Sequence, residues 1–155
     1  MIITFFGHSS ISSSSLIKEQ VKDAVRKHAF LGDPVSFYLG GYGDFDEICA
    51  SACRELRKEY KTMEIIYVTP YMEVENQKKI LEWQNNGVYD STIYPPIEKV
   101  PPRLAILKRN EWMVKNSDII IAYVKYNYGG ACKALQIAKR NKKTVINICD
   151  FEHTD

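Results

Sequence analysis

Apolar residues are spaced along this chain in two ways, and the two alternate from one end to the other. Short apolar runs at Ile2–Phe6, Val35–Leu39, Met63–Pro70, Asp118–Val124 and Thr144–Ile148 predict five strands, and the near-continuous run of the fourth marks it as covered on both faces. Between them, apolar residues return every third or fourth position. From Ser15 to Ala29 the residues Leu16, Ile17, Val21, Ala24, Val25 and Ala29 fall on or beside one stripe, with Lys18, Glu19, Lys22 and Arg26 opposite. Further helices are predicted over Ile48–Tyr60, Val74–Asn85, Ala105–Lys115 and Lys133–Arg140. This alternation predicts an α/β fold: a single Rossmann-like, doubly wound domain over residues 1–155, with a mainly parallel sheet of about five strands flanked by helices. The aromatic and proline-rich connection 88–103 interrupts the rhythm. Ile93-Tyr94 reads as a short strand within it, and the rest as a rigid spacer or as a wall carrying Tyr94 and Arg103 to a ligand. The tail from Asp150 reads as a frayed end.

Ligands of open α/β sheets bind beyond the carboxyl ends of the strands, so the loops there hold the candidate chemistry. Gly7-His8-Ser9 follows the first strand, where a glycine admits backbone and a hydroxyl donates; His8 is a contact candidate only, with no acidic partner legible in sequence. The serines at 12–15 read as a polar turn and helix N-cap. Gly40-Gly41-Tyr42-Gly43 follows the second strand and runs into Asp44, Asp46 and Glu47. Those carboxylates either complement a helix N-terminus, or reach ribose hydroxyls, or act as a general base at a ribose-linked bond. Gly129-Gly130 opens the helix after the most apolar strand, where unpaired N–H groups suit an anion. Arg109 adds a planar donor fork on the preceding helix, for a phosphate or for a structural carboxylate. The candidate ligand-binding residues are therefore Gly7, His8, Ser9, Gly40, Gly41, Gly43, Arg109, Gly129 and Gly130, and the candidate catalytic residues are Glu47 and Asp46.

Composition narrows the partners. A formal net charge of +2, with Lys and Arg scattered, argues against nucleic acid, and no apolar run approaches the ~20 residues of a membrane span. The chain starts directly on a strand-like segment, without a leader pattern, so a cytoplasmic location is expected. Cys49, Cys53, Cys132 and Cys149 form no zinc pattern and read as reduced, mostly buried thiols; His8, His28 and His153 are too dispersed for a metal set. Neither a metal nor a cofactor is expected.

Taken in order, Phe5-Phe6-Gly7-His8-Ser9-Ser10, Leu39-Gly40-Gly41-Tyr42-Gly43, Arg109-Asn110-Glu111-Trp112-Met113, Asn116-Ser117-Asp118 and Gly129-Gly130-Ala131 resemble the SLOG superfamily. These are Rossmann-like proteins related to the Lonely Guy (LOG) phosphoribohydrolases and to the DNA-processing protein DprA. The likeness spans nearly the whole chain and is nearest to short SLOG proteins of Firmicutes and their phages. It implies that Arg109 matches the catalytic arginine of LOG enzymes, while their glutamate falls on Ala134 and the threonine of their Gly-Thr pair on Ala131. The resemblance therefore implies a cytoplasmic domain that senses or sequesters a nucleotide-type small molecule. Gly129, Gly130 and Arg109 would hold its phosphate, and Asp46 or Glu47 its ribose. Two alternatives stand beside it: an N-glycosidic hydrolase or ribosyltransferase using Glu47 or Asp46, and a partner-binding protein without a nucleotide ligand. A homo-oligomer, dimer or higher, is expected from LOG-type relatives, with Trp112 and Tyr126 as contact candidates.

Overall fold

The structure is a computed structural model that describes residues 1–151, of which Asp150 and Phe151 are described by backbone alone. His153 and the end of the tail lie outside the described residues. In chain order the elements are β1 (Ile2–Gly7), α1 (Ser14–His28), β2 (Val35–Leu39), α2 (Asp44–Leu56), β3 (Met63–Val68), α3 (Val74–Asn85), β4 (Ser91–Ile93), a 3-10 turn (Pro102–Leu104), α4 (Ala105–Lys115), β5 (Ile119–Tyr123), α5 (Gly130–Arg140), β6 (Thr144–Asn147) and a second 3-10 turn (Ile148–Phe151). All strand pairings are parallel, in the order β4-β3-β2-β1-β5-β6.

The strands are apolar because both faces are buried. Along β5, Ile119, Ile121 and Tyr123 join one core, while Ile120 and Ala122 join the other. The first core packs Ile3, Phe5, Phe37, Leu39 and Ile65 against α1, α2 and Ile80 of α3. The second packs Phe6, Tyr38, Ile66 and Val68 against Met113 and Val114 of α4 and Ala134, Leu135, Ile137 and Ala138 of α5. Helices on both faces of an all-parallel sheet make the domain doubly wound, as predicted, with six strands rather than five. The additional strand is β4, which pairs with β3 from Ser91 to Ile93 and closes one edge of the sheet.

Strand order reverses between β1 and β5. β1 leads outward through β2, β3 and β4 on one side, and β5 and β6 continue on the other. Such a reversal opens a crevice at the carboxyl ends of the two strands beside it. The loops after β1 and β5 therefore flank one crevice, with the loop after β2 next to them. No helix among the described residues is long and apolar enough to cross a membrane.

Candidate functional site

The loops after β1 and β2 are stitched to each other and filled by the protein's own side chains. Asp44 N–H donates to Ser9 O at 2.9 Å, Phe45 N–H to His8 O at 3.4 Å, and Ile11 N–H to Asp44 Oδ2 at 2.8 Å. The first N–H groups of α2 are thus satisfied internally rather than offered to an anion. A side chain at Gly7 would collide with the Phe45 ring, and one at Gly41 with the Tyr67 ring at 2.6 Å. At Gly43, with φ of 87°, it would meet the Ser9 backbone at 2.6 Å. At Gly40 it would press on the Arg109 guanidinium at 3.1 Å and Asp46 Oδ2 at 3.3 Å. These four glycines serve close packing.

Arg109, 5% exposed, is the one charged residue buried among the described residues. Its Nη1 donates to Val68 O at 2.8 Å and to Gly40 O at 3.1 Å, and its Nε to Asn110 Oδ1 at 2.8 Å. The guanidinium therefore ties together the carboxyl ends of β2 and β3. Burial pulls its pKa down, and Asp46 opposes that pull. The Asp46 carboxylate accepts the Tyr42 N–H at 2.9 Å; burial pushes its pKa up to about 6, against the Tyr42 bond and the Arg109 charge. The arginine and one carboxylate expected at a ligand thus feel each other's charge beside Gly40. Gly129-Gly130 follows β5, two strands from β2, a separation of about 10 Å at usual strand spacing.

Glu47 goes elsewhere. It is exposed and lines a groove of about 490 Å³ between α1 and α2, beside Ser14, Lys18, Asp44, Ser51 and Arg54. The two candidate catalytic carboxylates thus point to different places, one inward to Arg109 and one into a lateral groove. A second groove of about 550 Å³, lined by Val74, Leu81, Thr92 and Tyr94 among others, lies between α3 and the edge strand β4. Ala134, at the position of the LOG glutamate, is buried in the second core. The serine run does precede α1, but Ser13 at the N-cap position makes no capping hydrogen bond and has φ of 60°. Cys49, Cys53 and Cys149 are buried free thiols and Cys132 is half-buried. No group of three or more metal-ligating side chains occurs among the described residues.

The open part of the rim belongs to the crevice between β1 and β5. His8 Nε2 accepts the Lys125 N–H at 2.8 Å. Its ring lies 4.9 Å from that of Tyr126, which stacks on Tyr128 at 5.3 Å and 17°. Tyr126 and Tyr128 are 51% and 68% exposed, and Tyr42 on the neighbouring loop is 77% exposed. Lys125, next to Tyr126 in the chain, is exposed, with its ammonium 5.4 Å from the Tyr123 ring centre, and Lys133 is exposed on α5. Immediately after the tyrosine pair α5 begins at Gly130 with no side-chain cap and no acidic residue in its first turn. Side chains at Gly129 and Gly130 would meet nothing within 4 Å, so a ligand's backbone or phosphate has free approach there. The loop Lys125-Tyr126-Asn127-Tyr128 sets one cation beside two aromatics, a signal the glycine-centred reading passed over.

No protein-family model matches the chain, and no curated protein sequence matches it. Among solved structures, it is similar to DNA processing protein A from Helicobacter pylori, in a structure described for its single-stranded DNA binding mode. The likeness has a TM-score of 0.56 at 18% identity and covers 94% of this chain and 63% of that one. The chain therefore spans less than two thirds of that neighbour's length, and at this identity the likeness shows the fold: Rossmann-like α/β. It also corrects two expectations. A nucleotide-type small molecule was expected as ligand and nucleic acid was not, whereas this solved structure of similar fold is described for its single-stranded DNA binding. Physically, the small-ligand reading, with its N-glycosidic variant, placed Arg109 at the ligand's phosphate, whereas Arg109 is buried and spends its Nη1 on Gly40 O and Val68 O and its Nε on Asn110 Oδ1. The argument from net charge failed because a whole-chain sum says nothing about a local aromatic and basic rim.

Proposed function

We propose that this chain is a SLOG-type domain that binds single-stranded nucleic acid across the carboxyl rim of its sheet, at the β1–β5 crevice. The observation that carries this reading is the exposed, stacked Tyr126–Tyr128 pair, set between Lys125 and the uncapped start of α5. Unpaired bases present π-faces to such a platform, and each stack onto an aromatic side chain contributes roughly 1–3 kcal/mol with little sequence preference. Phosphates are met by Lys125, Lys133 and the N–H groups at Gly129-Gly130, where no carboxylate of the first helical turn opposes them. Tyr42 extends the aromatic surface across the loop after β2. The likeness to a protein described as binding single-stranded DNA supports the same reading.

Fluorescence anisotropy with a labelled oligothymidylate tests it. Binding is expected to be tighter than to a duplex of equal length, since paired bases cannot stack on the platform. Neutralising about two phosphates predicts a log–log salt slope of about −1.4. Absence of binding at low salt, or equal affinity for duplex, would overturn the assignment.

A further inference from the structure

We propose that His8 is the positioning residue of the aromatic rim, a latch that holds the Lys125–Tyr128 loop in its stacking arrangement and opens when the imidazole takes up a proton. The inference rests on the nucleic-acid reading only for its consequence; the latch itself rests on geometry. His8 stands at the end of β1, and its Nε2 accepts the backbone N–H of Lys125, which is 117 residues away in sequence and across the strand-order reversal. An imidazole that accepts at Nε2 must be neutral and carry its proton on Nδ1. The same ring lies 4.9 Å from that of Tyr126 and 6.3 Å from that of Tyr123, to which it is perpendicular, so one side chain meets both the main chain and the first ring of the Tyr126–Tyr128 stack.

A second proton turns Nε2 from acceptor into donor. It then faces the Lys125 N–H donor to donor, and the bond is lost. Upstream, Val124 stays tied to Asn147, whose Oδ1 accepts the Val124 N–H at 3.1 Å and whose Nδ2 donates to Val124 O at 3.0 Å. The strand therefore stays in place while the loop beyond it loses its main-chain bond to His8.

From the β5 side the groups facing His8 are Tyr123, Lys125 and Tyr126, of which the Lys125 charge favours the neutral ring. From α2 the contact is the Phe45 N–H on His8 O, and the Asp44 carboxylate is turned to the Ile11 N–H instead. Burial, and after it the Lys125 charge, hold the pKa of His8 below its ordinary 6.5, so the latch is closed at neutral pH and opens on acidification.

Two measurements on the full chain test this separately from the nucleic-acid reading. The first uses no nucleic acid: ¹⁵N NMR of the His8 ring and of the Lys125 amide from about pH 8 to about pH 5. At neutral pH the Nδ1–H tautomer is expected. The Lys125 amide should shift with the His8 titration and lose exchange protection as the ring protonates. An Nε2–H tautomer at neutral pH, or a Lys125 amide indifferent to the titration, would overturn the latch.

The second measurement follows oligothymidylate affinity over the same range. Wild type is expected to weaken roughly tenfold on acidification, equivalent to about 1.4 kcal/mol. Added positive charge alone would drive affinity the other way. His8→Gln, which retains a side-chain acceptor but does not titrate, should lose this dependence. Affinity that rises as His8 protonates would make it a phosphate contact and overturn the latch. Absence of oligonucleotide binding at every pH would refute the nucleic-acid reading and this predicted consequence, while the NMR result would still decide for or against the latch.

Discussion

Replacing Arg109 separates a structural arginine from a ligand clamp. In Arg109→Met, Gly40 O and Val68 O both lose a charged donor inside the protein, and the Asp46 carboxylate loses the positive charge that offsets its burial. Removing one partner of a buried charged arrangement costs about 3–5 kcal/mol, a large part of the roughly 5–15 kcal/mol that holds a domain together. With a urea slope near 2 kcal/mol per molar, the unfolding midpoint should fall by about 2 M. The coupling to Asp46 gives the prediction a second handle. In the Asp46→Asn background the same replacement should cost less, because no carboxylate is left unbalanced, and the difference is the interaction term of a double-mutant cycle. Urea unfolding followed by circular dichroism on the four proteins measures all of this. A midpoint for Arg109→Met within about 0.5 kcal/mol of wild type, together with lost oligonucleotide binding, would refute the structural role and return Arg109 to the ligand.

Other expectations follow from single side chains. Asp46 titrates at about 6 in the folded chain against an ordinary 3.8, so the folded state binds the extra proton between those values. Stability should therefore fall by about 3 kcal/mol as pH rises through that window and level off above it, and Asp46→Asn should flatten this part of a denaturation-midpoint profile. Gly7→Ala forces a methyl group into Phe45 and should destabilise by about 1–3 kcal/mol in thermal unfolding. Gly130→Ala, at the open first residue of α5, should be neutral or stabilise by up to about 1 kcal/mol, and a large loss there would mean that the turn is packed.

The fold was legible because burial on both faces leaves so plain a trace. Ile119 to Ala122 cannot be amphipathic when helices cover both sides of β5, and the same holds for the strands beside it. β4 was visible only as Ile93-Tyr94, since its three residues sit in a proline-rich connection and pair along one side alone. The helical spacing marked α2 only from Ile48 and α5 only from Lys133, whereas α2 begins at Asp44, with its acidic residues in the first turn, and α5 begins at Gly130.

The site was harder to read, for a reason of distance. Sequence shows that Gly7, Gly40, Gly41 and Gly43 follow strands, but not that Phe45, Arg109, Tyr67 and Ser9 occupy the space beside them. It shows Arg109 and Asp46 as charges, but not that each compensates the other's burial. Tyr126, expected as a contact between subunits, stacks on Tyr128 and lies 4.9 Å from the His8 ring at the end of another strand. Trp112, the other such candidate, is stacked on Tyr38 at 5.5 Å.

The account stands or falls on the tyrosine platform. In anisotropy titrations of a labelled oligothymidylate, Tyr126→Ala and Tyr128→Ala should each weaken binding by roughly tenfold while leaving the unfolding midpoint near that of wild type, because both rings are exposed. Oligonucleotide affinity undiminished in the double variant would contradict the claim that single-stranded nucleic acid lies on this rim.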